Sequence, residues 1–173
     1  FSRVRFSNEF GGGSVAIKSA HIALSAGGSA IKRETDKPLT FHGASSVVIP
    51  PGESVFSEPC AFPLPPLSDL AVTVHFGAVS NDVTGHPGAR CTSYLQAGDL
   101  ISAVDMLAAT KTTHWYILSG VDALVEKSVR SVVALGDSIT DGRGSTTDGN
   151  RRWTDFLARR LQAGGLSNVA VLN

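Results

Sequence analysis

No stretch of this 173-residue sequence is apolar for more than about five residues, far below the roughly 20 that a membrane-spanning helix requires. An excess of either charge is missing too: 15 Lys and Arg are matched by 15 Asp and Glu, a formal net charge of zero. Without a basic field nothing attracts a phosphate backbone, which argues against general nucleic-acid binding. Charged residues are scarce at 17%, against 42% hydrophobic, a balance that excludes a disordered tail and a coiled coil. There is no Asn-x-Ser/Thr, so no N-glycan is expected. There is no CxxC, and His21, His42, His75, His86 and His114 offer no pair at ligand spacing, so no metal site is expected. Neither G-x-x-x-x-G-K-[ST] nor G-x-G-x-x-G occurs, and no cofactor is expected. Phe1-Ser2-Arg3-Val4-Arg5 lacks the basic, apolar and small-residue order of a signal peptide. The sequence starts abruptly in what reads as a strand, so its natural terminus is expected further upstream.

What is present points to many turns and few long helices: 18 Gly and 8 Pro. The only cysteines, Cys60 and Cys91, lie in a loop-rich β region. Such a pair suits a disulfide worth roughly 4 kcal/mol, and a disulfide places the protein outside the cell. The alternative is two buried free thiols.

Residues 1–127 read as β. Val15–Leu24 is rich in β-branched residues and changes phase near Ala20, which implies a bulge. Val47-Val48-Ile49 ends at the turn Pro50-Pro51-Gly52. Val72, Val74 and Phe76 alternate with Ala71, Thr73 and His75, one face buried and one more polar, and the stretch before Val72 reads as a loop. His114–Leu118 and Val121–Val125 flank Ser119-Gly120, the pattern of a tight hairpin. A weak helical pattern lies around Ser102–Ala109. About eight short strands at this spacing suggest a sandwich or jelly roll.

The pattern changes near Ser128. Val132-Val133-Ala134-Leu135 reads as a parallel strand buried on both faces. A Gly-rich loop follows. A helix is then expected, capped by Asn150, with an apolar stripe at Trp153, Phe156, Leu157 and Leu161. Asp155 and Arg159 form an i, i+4 pair on its outer side, and Gly164-Gly165 ends it. Arg151-Arg152 and Arg159-Arg160 read as its solvated face. Val169–Leu172 is a second buried strand. Residues 128–173 thus form a β-α-β unit. Because one crossover cannot cover both faces of a parallel sheet, further polypeptide is expected to complete it.

The sharpest feature is Gly136-Asp137-Ser138-Ile139-Thr140-Asp141-Gly142, directly after the first of these strands. Sites in open parallel sheets form outside the carboxyl ends of strands, where a Ser can project its hydroxyl and free N–H groups can hold an oxyanion. It is not the G-x-S-x-G elbow, because position 140 is Thr. Ser138 is the candidate nucleophile; the bland reading is a turn serine. Asp137 suits a structural role, bonding loop N–H groups. Asp141 either supports the site or simply forms a turn before Gly142. His86 reads as a turn residue before Pro87, and His114 as a hairpin residue.

The block Val133–Gly142 resembles the first block of the GDSL-type SGNH hydrolases, with Ile139 where the family has the Leu that names it. Val4-Arg5-Phe6-Ser7-Asn8-Glu9-Phe10-Gly11, Thr84-Gly85-His86-Pro87-Gly88-Ala89-Arg90 and Thr113-His114-Trp115-Tyr116 resemble a secreted subgroup with an accessory β domain. The resemblance implies Ser138 as nucleophile and its backbone N–H as one oxyanion donor. It implies further Gly and Asn donors and the Asp and His of a D-x-x-H motif, none of which this sequence contains: Asp82 and His86 are one position too far apart. It implies an α/β fold, the N-terminal part of a three-layer α/β/α hydrolase (128–173) beside a jelly-roll-like β sandwich (1–127). The expected activity is cleavage of carboxylic esters through an acyl-serine, on an acylated carbohydrate or lipid. The base is expected from a continuation or second chain. The rival expectation is a lectin-like β domain with an inactive hydrolase segment, for which Trp115 and Tyr116 are the local aromatic pair.

Overall fold

A computed structural model describes residues 1–125 and 128–173. The first strands are β1 (Ser2–Ser7), β2 (Val15–Gly27), β3 (Ala30–Ile31), β4 (Lys37–Leu39), β5 (Val47–Ile49), β6 (Ser54–Phe56) and β7 (Leu70–Phe76). The long β2 is the spine: β3, β4, β5 and β7 all pair with it, antiparallel. Its register against β7 shifts between Ile17 and Ser19. That irregularity moves the inward residues from Val15 and Ile17 to Ala20 and Ile22, all buried, and accounts for the change of phase in the sequence.

Further on come β8 (Gly85–His86), β9 (Ser93–Leu95), β10 (Thr110–Thr112), β11 (Trp115–Tyr116) and β12 (Leu118–Ala123). A second antiparallel sheet has the order β12-β1-β6. Val4 and Phe6 of β1 share one buried cluster with Val15, Ile17 and Ile22 of β2, Leu39, Phe41 and Ile117. The two sheets therefore enclose a common sandwich-like core. Phe6 stacks at a tilt on Phe41, ring centroids 5.8 Å apart. Asn8, fully buried, donates from Nδ2 to the Gly13 and Ile49 carbonyls at 2.8 and 3.0 Å, tying the glycine loop to the end of β5.

Ser119-Gly120 is not a hairpin turn. β12 continues through it with a bulge, Arg5 opposite Gly120 and Phe6 opposite Leu118, which leaves Ser119 as the extra residue. The bend falls instead at Ile117 (φ 52°), whose side chain is drawn into the core. No helix forms at Ser102–Ala109, because Asp99 and Asp105 accept the backbone N–H groups of Ile101 and Met106, the side-chain competition that disfavours a helix.

The last elements are β13 (Arg130–Val133), the single-turn α1 (Ser138–Asp141), α2 (Trp153–Ala163) and β14 (Val169–Leu172). β13 and β14 pair in parallel, Arg130 opposite Val169 through Val133 opposite Leu172, and α2 packs on β14. The β-α-β order is as the sequence implies, but the three-layer α/β/α arrangement is not formed. The described chain is mostly β, and a single helix lies on a two-stranded parallel sheet. The expected burial also fails. Every residue of β13 is exposed, Leu135 is 99% exposed, and one helix cannot cover this surface. Of α2, the buried residue is Thr154, while Trp153 and Phe156 stay about half exposed. The boundary expected after residue 127 falls on residues outside the described ones.

Cys60 and Cys91 are both free thiols, so the expected disulfide is not formed. They are fixed in different places. Cys60 is held at the sheet edge by reciprocal backbone bonds to Ser2, and Cys91 lies beside Thr92 in a separate groove wall. The bridge thus gives no argument for export. No helix of the described residues is long and apolar enough to cross a membrane.

Two outcomes follow from this packing. Phe6→Ala removes a fully buried ring and is expected to lower unfolding free energy by about 3–5 kcal/mol, measured by denaturant titration of the β signal. Alkylation without reductant, followed by intact mass, should add two adducts. Burial pushes the Cys60 thiol up, so it should react more slowly than a free cysteine peptide. The same shift favours the neutral thiol: its contribution to stability is complete below the ordinary thiol pKa and is lost as pH rises through the raised native value.

Candidate active site

The turn after β13 is built by its own residues. Asp137 is the N-cap of α1, its carboxylate accepting the Ile139 N–H at 3.0 Å. Asp141 N–H bonds the Asp137 carbonyl, and Gly142 and Arg143 N–H bond the Ser138 carbonyl. Gly142 ends the turn at φ 101°, a left-handed geometry that favours glycine. At Gly136 a Cβ would lie 2.3 Å from Thr140 Oγ1, so only glycine lets the turn close on the strand end. Ser138 is the first residue of α1 and is exposed. Asn173, just past β14, donates from Nδ2 to the Thr140 carbonyl at 2.9 Å, pinning the turn to the neighbouring strand.

A polar clasp fastens this unit to the β sandwich. Arg152 donates from Nε to the Asp141 carbonyl at 2.9 Å and from Nη2 to the Ala89 carbonyl at 2.7 Å. Asp148 accepts the Thr92 N–H and hydroxyl, both at 2.6 Å. Asn150 donates to Asp69 at 2.9 Å. Arg152 is therefore no solvated helix residue, and Asn150 is no cap. Arg152 occupies the N-cap, with Asp155 accepting its N–H at 2.7 Å. Arg159 turns to the Asn150 carbonyl instead of Asp155.

His86 of β8 places Nε2 3.3 Å from Asp141 Oδ1, one helical turn beyond Ser138. β8 pairs with β11, Trp115 opposite His86. His114 accepts the Gly88 N–H at 3.2 Å. The sequence reasoning missed both His86 and Arg152 as site neighbours. The only signal for His86 was the string Thr84–Arg90, quoted for its resemblance and not for any position in space, and Arg152 was read as part of a solvated helix face. Among the described residues no imidazole is hydrogen-bonded to the Ser138 hydroxyl, and none form a group of three or more ligands suited to a metal. The arrangement presents an accessible hydroxyl on a rigid turn, with a carboxylate and an imidazole on the same rim.

Residues 132–172 match the family GDSL-like Lipase/Acylhydrolase. The match takes in the last two residues of β13 and all of α1, α2 and β14, and covers under a quarter of the chain. It supports a hydrolase of esters at the level of that family. No curated protein matches the chain significantly.

Gly142→Ala sets a Cβ 2.7 Å from Arg152 Cγ in a left-handed backbone, and Arg152→Ala leaves two carbonyls without their donor. Each is expected to lower the opening free energy of the turn by about 1–3 kcal/mol. Native-state hydrogen exchange at the residue 142 and Arg143 amides measures it, with exchange in β2 unchanged.

Proposed function

We propose that this chain carries the nucleophile of a serine ester hydrolase. The observation that carries the reading is Ser138, exposed on the first turn after a parallel strand within the segment matching the acylhydrolase family. In this reading Ser138 Oγ attacks the ester carbonyl carbon while a base takes its proton. The carbonyl oxygen becomes an oxyanion held by the Ser138 N–H and other donors, the alcohol leaves with the proton, and water then releases the acid from the acyl-serine. Asp137 supports the turn and Asp141 the rim of the site. The division of labour is between an accessory β sandwich, residues 1–127, and the nucleophile unit, 128–173.

The base comes from further polypeptide, a continuation or a second chain, together with the Gly and Asn donors. Two things support this. His86, whose imidazole reaches the end of the Ser138 turn, is engaged with Asp141. The apolar side chains of Val133, Leu135, Ile139 and Leu172 are all more than half exposed, as at surfaces that a partner covers.

A serine without its base loses about 10⁶ in rate, roughly 8 kcal/mol of barrier. A fluorophosphonate probe should therefore label the 173-residue chain very slowly, at Ser138 alone, and Ser138→Ala should abolish labelling. Labelling should accelerate by several orders of magnitude in the complete assembly. Equal rates for chain and assembly would remove the need for a second source of the base, and labelling at another serine would remove Ser138.

A further inference from the structure

We infer that the groove between the β sandwich and the nucleophile turn binds the alcohol side of the ester, and that this alcohol is a neutral, hydroxyl-rich glycan. The inference rests on the proposed ester hydrolysis at Ser138 and names its substrate class. The groove measures about 1400 Å³. Its walls come from both parts of the chain: Tyr94, Trp115 and Tyr116 from the sandwich, Asp141 and Arg152 from the nucleophile unit. Asp141, which lines the groove, ends the helical turn that Ser138 begins, so a ligand filling the groove reaches that turn. The His86–Asp141 contact bridges the two walls at that point.

The lining decides between the two ester classes that the turn alone leaves open. Aliphatic side chains of β7, Val72 and Val74 among them, line part of the groove, but an acyl chain laid along its whole length would also strip water from charged groups with nothing to replace it. His75 and Asp99, 3.3 Å apart, line one stretch of the wall, and Asp148 and Arg152 another. Burying such groups against hydrocarbon is strongly unfavourable. A glycan suits the same wall: its hydroxyls bond carboxylates, imidazoles and amides, while the C–H face of a sugar ring lies on an aromatic side chain. Trp115, 37% exposed, and the half-buried Tyr94 and Tyr116 supply such surfaces. The groove carries both Asp and Arg or His, so it has no single sign of charge with which to select an ionic ligand.

The test uses the full 173-residue chain as Ser138→Ala, on an array of neutral glycans and, in parallel, with lysophosphatidylcholine micelles. Binding of at least one neutral glycan is expected. Trp115→Ala on the sandwich wall and Asp141→Asn on the opposite wall should each weaken it at least tenfold, and Val48→Ser, on an exposed side chain outside the groove lining, should not. Thermal melts confirm that each variant is folded. Absence of glycan binding, lysolipid binding lost in Trp115→Ala, or glycan binding indifferent to both wall variants overturns the inference. If Asp141→Asn alone has no effect, the sugar sits on the sandwich and not across the groove, which also overturns it. Fluorophosphonate labelling of Ser138 is independent of all these outcomes, so loss of the glycan leaves the esterase reading standing, and the reverse holds.

Discussion

The placement of the nucleophile turn depends on one guanidinium. Arg152 bonds the Asp141 carbonyl at the end of α1 and the Ala89 carbonyl of the β sandwich, with Asp155 3.5 Å from Nη1. Charge-assisted bonds to two backbone oxygens, on a side chain only 16% exposed, are stronger and more directional than ordinary surface pairs. They also explain a sequence constraint: the space a Cβ would take at Gly142 is filled by the Arg152 stem. The glycine that ends the turn and the arginine that opens α2 are therefore a single feature, ten residues apart.

That polar junction is needed because the apolar core lies wholly on one side of it. Every hydrophobic side chain of the buried cluster belongs to residues 4–117. In the nucleophile unit the buried side chain is Thr154, while Ile139 in the turn itself is 73% exposed. The hydrophobic term that ordinarily holds an α/β unit together is thus weak in this one, where Leu157, Leu161, Val169 and Val171 are only partly buried. The turn inherits its order from hydrogen bonds to the sandwich, each worth about 1 kcal/mol net. Such a junction opens more readily than the core behind it, so the unit sits at the low end of local stability.

The same asymmetry marks what could be read from the sequence. Periodicity and β-branched content located β2, β7 and the β-α-β order, because local patterns report local geometry. The bulge in β2 was legible as a slip in phase. Burial was not: Val132 to Leu135 has the composition of a hidden strand, and composition reports what a segment can bury against, not what covers it. Ser119-Gly120 has turn chemistry, yet the pairing of β12 with β1 overrides it, as tertiary context often does. Ser138 stood out because its neighbours form a local motif. Arg152 and His86 did not, since their roles join residues far apart along the chain. The disulfide failed for a related reason: two cysteines say nothing of where the folded chain carries them.

The junction also holds backbone geometry that its partners must impose. Asp148 and Asn150 both adopt left-handed conformations, φ 59° and 44°, which cost on the order of 1–3 kcal/mol at non-glycine residues. Asp and Asn tolerate that region best, and each is also the residue whose side chain grips the sandwich, Asp148 at Thr92 and Asn150 at Asp69. The two strained residues therefore coincide with two of the fastening points. If the loop were free, neither conformation would be preferred; it persists because hydrogen bonds to the opposite wall fix it. The groove that reaches Asp141 is walled by both parts of the chain, so its walls and the Ser138 turn are set by the same few polar interactions.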